Sequence, residues 1–499
     1  MHSNLNRRPT PAAHSVRSRR RSHNPVVEPL EGRALLSGAG SLDPTFGTGG
    51  TVTTAITSGN DVANEVMIQP DGKIVAVGTG MARYNANGSL DTSFGRKGQV
   101  TGVGANAAAL YPVGSPNAGK IIAAGPINSR STGDDFGLVR YNADGSLDAT
   151  FGSQGKATVA FGTGTDQNWG VALQPDGKIV TVGFANIGAT RVFALARFNA
   201  NGSLDTTFGV GGKATVDVGA TELLWDVAVQ ADGKIIACGS AGPVPGGGLR
   251  AYVLRYNANG TLDNDATTGF GPDHSGIVVP ASGGEALGVT LQGDGKIVVG
   301  GYNNYVDTGQ YQRWYLARLN PDGNLDGTFG SGGFTTTQVT ADPAGTASIW
   351  ALALQPDGKI VAGGTTTTGF SLARYNTDGG LDTVFGAGGI VTTVIGSGVA
   401  ELHALALQPD GKIVAAGRAR IGQSDDFAVA RYVGASTTLA ATPRVPQTAI
   451  ETVPGTLPVI AITPADSTPA GPAFDALPDF PSLLAFSTAR RSRKSAPVT

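Results

Sequence analysis

Residues 173–180 read Leu-Gln-Pro-Asp-Gly-Lys-Ile-Val, and residues 196–209 read Ala-Arg-Phe-Asn-Ala-Asn-Gly-Ser-Leu-Asp-Thr-Thr-Phe-Gly. This pair of segments recurs along the chain with small variations. The Leu-Asp dipeptides begin at residues 42, 90, 147, 204, 262, 325 and 381, at intervals of 48, 57, 57, 58, 63 and 56 residues. A period of about 57 residues indicates that one supersecondary unit has been copied seven times.

The composition favours a turn-rich, all-β protein. The chain has 499 residues, of which 75 are Gly and only 15% are charged, whereas a typical globular domain has about 25% charged residues. In a repeat array each unit packs only on its neighbours, so the length does not by itself imply several domains.

Several classes of protein are disfavoured by simple counts. A formal net charge of −2 provides no overall attraction to nucleic acid. The single cysteine, Cys238, excludes an internal disulfide framework and a multi-cysteine metal site. No apolar run approaches the roughly 20 residues that a membrane-spanning helix needs, so we expect no transmembrane segment.

Both ends of the chain differ from the repeats. Residues 1–41 form a basic leader and residues 434–499 an Ala-, Thr- and Pro-rich tail, and both are predicted to be disordered. Residues 29–37, Pro-Leu-Glu-Gly-Arg-Ala-Leu-Leu-Ser, resemble the Leu-Glu-Pro-Arg-x-Leu-Leu motif near the start of many exported bacterial surface proteins, with Gly32 in place of Pro. The resemblance implies export, to the cell surface or beyond it.

Each repeat contains two turns that predict β-hairpins. In both, an Asp or Asn precedes a Gly that supplies the positive φ of a type I turn with a bulge. Across the second turn of the first repeat, Tyr84 should face Leu90 and Arg83 should face Asp91. The same register predicts the pairs Arg140 with Asp148, Arg197 with Asp205, Arg255 with Asp263, Arg318 with Asp326, and Arg374 with Asp382.

Two residues are left without a partner in their own hairpins. Asp43 has no Arg before it, and Arg431 has no Leu-Asp segment after it. They complement each other if Leu42–Gly47 adds to the last sheet beside Phe427–Tyr432, which closes the array and removes its exposed edges. We therefore predict an all-β fold, a seven-bladed β-propeller over residues 42–433 that is closed by its N-terminal strand. An open β-solenoid is the alternative, and it leaves the orphan pair unexplained.

The repeated motifs as a set are similar to a known family. Leu-Asp-x-x-Phe-Gly, Gln-Pro-Asp-Gly-Lys-Ile-Val and Ala-Arg-Tyr-Asn-x-Asp-Gly-Ser resemble the bacterial delta-60 repeat over residues 42–433. The resemblance implies a propeller-like exported repeat protein, and it brings no shared catalytic residues.

One position differs from repeat to repeat and is a candidate binding surface. It lies seven residues before the Asp (or Asn117) of the first turn, and by symmetry it forms a circle near one end of the blades. Its occupants are Asn64, Leu110, Trp169, Trp225, Leu287, Trp350 and His403. These side chains either contact a ligand or pack between adjacent blades. The candidate ligand-binding residues among them are Trp169, Trp225, Trp350 and His403.

The variable loop of the fifth repeat is a second candidate surface. Its aromatic and polar side chains suit stacking on sugars or contact with a protein. The candidate residues are Tyr302, Tyr305, Asp307, Tyr311, Arg313 and Trp314. Alternatively, Trp314 and Tyr315 simply continue the strand.

The inventory for catalysis is small. None of the five His residues has metal-ligand spacing, and no Gly-x-Ser-x-Gly elbow occurs. We predict no catalytic residue, metal or cofactor. The hypothesis is an exported, monomeric, non-enzymatic scaffold that binds a glycan or a surface protein. The alternative is a polysaccharide-acting enzyme, which requires two carboxylates from different blades about 5–10 Å apart, with raised proton affinity.

Overall fold

The computed structural model describes residues 38–129, 132–219, 221–243, 248–280, 283–305, 311–339, 347–397 and 399–434. The export-like motif at residues 29–37, most of the C-terminal tail and Asp307 lie outside these ranges.

The described chain consists of seven four-stranded antiparallel sheets, the blades of a propeller. Blades 1 to 6 follow chain order and blade 7 combines the two ends of the array. The strands are, in blade 1, β2 (Ala63–Ile68), β3 (Ile74–Gly78), β4 (Gly80–Tyr84) and β5 (Gln99–Thr101); in blade 2, β6 (Ala107–Leu110), β7 (Ile121–Ser129), β8 (Gly133–Tyr141) and β9 (Lys156–Val159); in blade 3, β10 (Gln167–Leu173), β11 (Ile179–Ile187), β12 (Thr190–Phe198) and β13 (Lys213–Val216); in blade 4, β14 (Thr221–Val229), β15 (Ile235–Gly242), β16 (Arg250–Tyr256) and β17 (Ile277–Val278); in blade 5, β18 (Glu285–Leu291), β19 (Ile297–Tyr305), β20 (Tyr311–Leu319) and β21 (Phe334–Thr337); in blade 6, β22 (Ser348–Leu354), β23 (Ile360–Thr366), β24 (Gly369–Tyr375) and β25 (Ile390–Thr393); and in blade 7, β26 (Ala400–Leu407), β27 (Ile413–Ile421), β28 (Ser424–Tyr432) and β1 (Thr51–Thr54). Among the described residues, no helix is long and apolar enough to cross a membrane.

The predicted hairpin register is confirmed. Tyr84 forms a bridge with Leu90, and the backbone N–H of Asp91 donates to the carbonyl of Arg83 at 2.8 Å. All six predicted Arg–Asp pairs form ion pairs in which the side chains of both partners are nearly buried. Each Asp also forms an ion pair with the Lys that ends the first turn of its repeat, which is Lys120 of an Ala-Gly-Lys turn in blade 2 and the Lys of an Asp-Gly-Lys turn in the others.

The predicted closure of the ring is also confirmed, with one difference of detail. Leu42 forms an isolated bridge with Tyr432, and the ladder itself is made by β1, in which Thr51 lies opposite Ala430 and Thr54 opposite Phe427. The N–H of Gly50 donates to the carbonyl of Phe46 at 2.9 Å, which closes a turn between the bridge and the ladder. The closing segment therefore repeats the connection that follows each internal hairpin.

Seven hydrophobic clusters hold the blades together, one at each interface between neighbouring blades. The middle strands are buried on both faces because each blade is covered by two others, as the all-apolar β3 illustrates. The seven Phe of the Phe-Gly elements are fully buried. An Arg guanidinium lies over each of these rings, 4.5–4.7 Å from its centroid.

Candidate binding site in the central channel

The first strand of each blade lines a channel at the centre of the propeller. These seven strands contact one another in a closed cycle, and residues next to or within all seven line one cavity. The site is therefore built by the ring as a whole.

In six of the seven inner strands, a β-bulge directs one variable residue toward this channel. Register shifts fall between Ala63 and Glu65 in β2, and at the same place in five other inner strands. The extra residue of a bulge is unpaired, and a bulge commonly re-aims a side chain. The six bulge residues line the cavity together with Asn106, which directly precedes β6. We name this set the channel ring: Asn64, Asn106, Trp169, Trp225, Leu287, Trp350 and His403.

The structure corrects one member of the predicted circle. Leu110 ends β6 and does not line the cavity, and Asn106 takes its place in the channel ring. The turn between Leu110 and Ile121 contains ten residues, whereas the equivalent turn between Ile68 and Ile74 contains five. Counting back a fixed distance from the turn therefore selected a residue too close to it.

The channel ring forms a nearly continuous circle of contacts. On its aromatic side, the ring centroids of Trp169 and Trp225 are 5.0 Å apart, those of Trp225 and Trp350 5.9 Å, and those of Trp350 and His403 5.7 Å. On its polar side, Nδ1 of His403 lies 3.2 Å from Oδ1 of Asn64. The amides of Asn64 and Asn106 donate to the carbonyls of Ala105 and Asn168 in the next blades.

The cavity has a volume of about 420 Å³, and the selected residues Trp169, Trp225, Trp350 and His403 all line it, each half-buried. Because their rings also contact one another, these side chains both join blades and form a wall open to a ligand. Ligand pockets are typically about 300–1,000 Å³ and largely apolar, with a few polar groups.

Two carboxyl groups that the sequence reasoning missed, Glu65 and Asp226, line the same cavity from blades 1 and 4. Burial, together with the charge of Asp226, raises the pKa of Glu65 to about 8. Burial raises the pKa of Asp226 to about 6, although its oxygens accept hydrogen bonds from the N–H groups of Val227 and Val289. Both residues directly follow a channel ring position, and that is the signal that could have identified them.

A third carboxylate in the cavity, Glu401, is paired with basic neighbours that balance its charge. Its oxygens lie 2.5 and 3.0 Å from the Arg418 guanidinium, and Nε2 of His403 is 3.4 Å away. The hydrogen bond with His403 and the charge of Arg418 lower the pKa of Glu401 to about 2. Glu401 therefore remains ionised and paired.

The candidate residues of the fifth blade are divided between core and surface. Trp314 is 0% exposed and packs in the cluster between blades 5 and 6, and Tyr315 is also buried. Both residues therefore continue strand β20, as the alternative interpretation of the sequence described. Arg313 is half-buried, and the backbones of Tyr305 and Tyr311 pair at the end of the hairpin.

Glu285 links the two candidate surfaces. Nε1 of Trp225 donates to its Oε2 at 2.8 Å, and the hydroxyl of Tyr302 donates to its Oε1 at 2.8 Å. Glu285 stands two residues before a channel ring position, as does Glu401, so this position was also readable from the repeat alignment.

Within the described ranges, no group of three or more His, Cys, Asp or Glu side chains could hold a metal ion.

The geometry defines a closed seven-bladed propeller with an aromatic and acidic channel. Seven segments of the chain match the model of a family described as a domain of unknown function (DUF5122) beta-propeller. They are residues 69–94, 119–151, 174–208, 230–265, 292–329, 355–385 and 408–432. The comparison with curated proteins found no match.

Solved structures with similar folds have diverse descriptions. A GH74 xyloglucanase from Xanthomonas campestris is 14% identical with a TM-score of 0.41, over 74% of this chain and 54% of the xyloglucanase. A catalytically inactive virginiamycin B lyase from Staphylococcus aureus is 11% identical with a TM-score of 0.41, over 76% and 98%. The extracellular domains 1-2 of Drosophila Semaphorin 1b are 8% identical with a TM-score of 0.41, over 79% and 87%. Similarity this low carries no argument about function.

Proposed function

We propose that this protein is an exported, non-enzymatic β-propeller that binds a glycan in its central channel at the bacterial cell surface. The observation that carries the proposal is the cavity of about 420 Å³ walled by Trp169, Trp225 and Trp350. Indole rings provide large flat contact areas. The Asn64 and Asn106 amides at the same cavity each use one N–H in a hydrogen bond to the next blade, and the second N–H of an amide can donate to a sugar hydroxyl.

A glycan array probed with three variants tests the proposal. Trp350→Ala should abolish binding of any glycan that the wild type retains, because it removes one wall of the cavity. Arg313→Ala probes the fifth-blade hairpin and should leave binding unchanged. Val210→Ala alters a side chain that is 85% exposed on a turn and serves as the control. Loss of binding in Arg313→Ala alone would move the site to the hairpin, and no binding by the wild type would contradict the proposal.

An enzyme acting on polysaccharide is the second candidate, and the carboxyl groups of Glu65 and Asp226 favour it. They come from different blades, line one cavity and have raised pKa values, and a carboxyl with a raised pKa suits a general acid. Incubation of the wild type and Glu65→Gln with a panel of polysaccharides distinguishes the two candidates. Release of new chain ends by the wild type, abolished in Glu65→Gln, would establish the enzyme, whereas binding without product supports the scaffold.

The export part of the proposal depends on residues 29–37. Cell fractionation of the full-length protein and of a variant with Leu35→Asp and Leu36→Asp tests it. The wild type should appear at the surface or in the medium, and the variant should accumulate inside the cell. Equal distribution of the two would remove the motif from the argument.

A further inference from the structure

Glu65 and Asp226 bring two acidic groups to the channel cavity. Among the residues that the structure describes, no Lys or Arg lines the cavity, and neither Glu65 nor Asp226 forms an ion pair. Glu401 is already paired with Arg418. Two carboxyl groups that are buried at one cavity without a counter-charge are costly to ionise, and a bound cation relieves that cost.

The indole rings of the cavity suit a cation of a particular kind. The planes of Trp169 and Trp225 meet at 66°, and those of Trp225 and Trp350 at 84°, so the indoles face in different directions around the cavity. A ring face attracts cations through its quadrupole, Trp most strongly, and several rings at steep angles form the cages that hold alkylated ammonium groups. A small metal ion would prefer a dense set of oxygen ligands.

We propose that the channel recognises an organic ammonium group, held by the faces of the channel-ring Trp residues and by the carboxylates of Glu65 and Asp226. This inference rests on the proposed function, since it names the chemistry of the ligand at the same site. The shared chemistry fits two sources, an amino sugar within a glycan and a small quaternary ammonium compound. The cavity volume accommodates either.

Intrinsic fluorescence titration distinguishes the sources, because three of the four Trp residues line the cavity. The probes are chitosan tetrasaccharide, which carries free amines, its N-acetylated counterpart, which is neutral, and tetramethylammonium. We expect chitosan tetrasaccharide, tetramethylammonium or both to bind, and the neutral sugar to bind at least tenfold more weakly than the chitosan. The double variant Glu65→Gln, Asp226→Asn should lose at least tenfold in affinity for the cationic probes. Asp232→Asn, on an exposed turn, is the matched control.

The outcomes separate the two proposals. Equal binding of both tetrasaccharides, with no effect of the double variant, would overturn the ammonium inference and leave glycan binding in the channel intact. Absence of binding by every cationic probe would overturn the inference as well, while the glycan array still tests the proposed function. If the double variant fails to fold, as judged by circular dichroism, Glu65→Gln and Asp226→Asn are measured singly, and each should weaken cation binding.

Discussion

Nε of Arg431 lies 2.9 Å from Oδ2 of Asp43, a residue 388 positions earlier in the chain. The Nη1 of the same Arg donates to the carbonyl of Ala86 in blade 1 at 2.6 Å. In the internal repeats the Arg makes the same two contacts, to the Asp of its own hairpin and to a turn carbonyl that follows in the next repeat, as Arg83 does with Asp91 and Ala143. The ring is therefore closed by the same Arg contacts that join the remaining neighbouring blades.

Loss of the closing carboxylate should destabilise the whole propeller. Asp43→Asn leaves the Arg431 guanidinium buried opposite a neutral amide, and removal of one partner of a buried ion pair typically costs about 3–5 kcal/mol. Urea unfolding measures the change in the free energy of unfolding. The control is Asp410→Asn, since Asp410 is 53% exposed and pairs with Lys412, and surface pairs contribute about 0–1 kcal/mol.

Hydrogen exchange locates that effect. Amide protection in β1 and β28 should fall in Asp43→Asn, whereas Asp148→Asn should affect blade 2 first. Unchanged protection of β1 and β28 would show that the Asp43–Arg431 pair does not hold the ring closed.

Acid should unfold the protein through the repeated Asp residues. Burial alone would raise the pKa of Asp148, but hydrogen bonds from Lys120 and Thr150 and the charge of Arg140 outweigh it and hold the pKa below its usual range. The pKa values of Asp43, Asp91 and Asp205 are lowered as well. A lowered folded-state pKa contributes stability that is present above about pH 4 and is lost as the pH falls toward the folded value.

Urea titrations between pH 6 and pH 2 check this expectation. The free energy of unfolding should decline below about pH 4. In Asp148→Asn the slope of this decline should be smaller, by the contribution of up to one bound proton. An identical slope in the variant would show that Asp148 is not a contributor.

Two glycines of the first blade separate backbone strain from crowding. Gly72 and Gly88 have φ values of +82° and +85°, so alanine is strained at either position. A Cβ at Gly72 meets no atom within 4 Å, whereas a Cβ at Gly88 lies 2.6 Å from the backbone nitrogen of Gly47. Gly72→Ala should cost roughly 1 kcal/mol, and Gly88→Ala clearly more. Equal losses in thermal unfolding experiments would contradict the close approach of Gly47.

The register and the blade number were predictable because they follow from contacts within about ten residues that recur from repeat to repeat. The pair of Asp43 and Arg431 was identified by elimination, since each lacked the partner that its counterparts have. The Leu110 prediction was wrong because a longer turn shifts the count, and periodicity does not report where an insertion falls.

The carboxyl groups of the site were not predicted for a different reason. Glu65 and Asp226 are 161 residues apart in the sequence (226 minus 65) and stand on blades 1 and 4. Only the curvature of the closed ring brings them to one cavity. Their place directly after a channel ring position was visible in the sequence, but the raised pKa values that mark them depend on burial that the sequence does not show.

Tryptophans of the core and of the channel should respond differently to truncation. Trp314→Ala removes a fully buried side chain from the interface of blades 5 and 6, and such changes cost about 3–5 kcal/mol. Trp350→Ala removes a half-buried ring from a cavity wall and should cost clearly less. Thermal unfolding of the two variants makes the comparison, and a greater loss for Trp350→Ala would indicate that the channel ring is mainly structural.

Binding of a quaternary ammonium ion in the channel should strengthen as the pH rises. Burial raises the pKa of Glu65 to about 8 and that of Asp226 to about 6, so both carboxyls gain charge between pH 5 and pH 9. Tetramethylammonium does not titrate, so its affinity reports the protein groups alone. The charge of Asp226 acts on Glu65, and Cys238 lies opposite Asp226 in the strand pair of β14 and β15. Glu401 and His403 line the same cavity.

The two steps can be assigned with single variants. Glu65→Gln should remove the increase in affinity centred near pH 8. Asp226→Asn should remove the increase centred near pH 6 and move the remaining increase to lower pH, because the charge of Asp226 helps to raise the pKa of Glu65. Asp232→Asn should retain both increases at their original pH. Because the bound cation favours the ionised carboxyls, binding near pH 7 should also release protons, which calorimetry in buffers of different ionisation enthalpy detects. An affinity that is constant from pH 5 to pH 9 would mean that neither carboxyl contacts the cation, since ionisation of a contacting group must change its attraction for the charge.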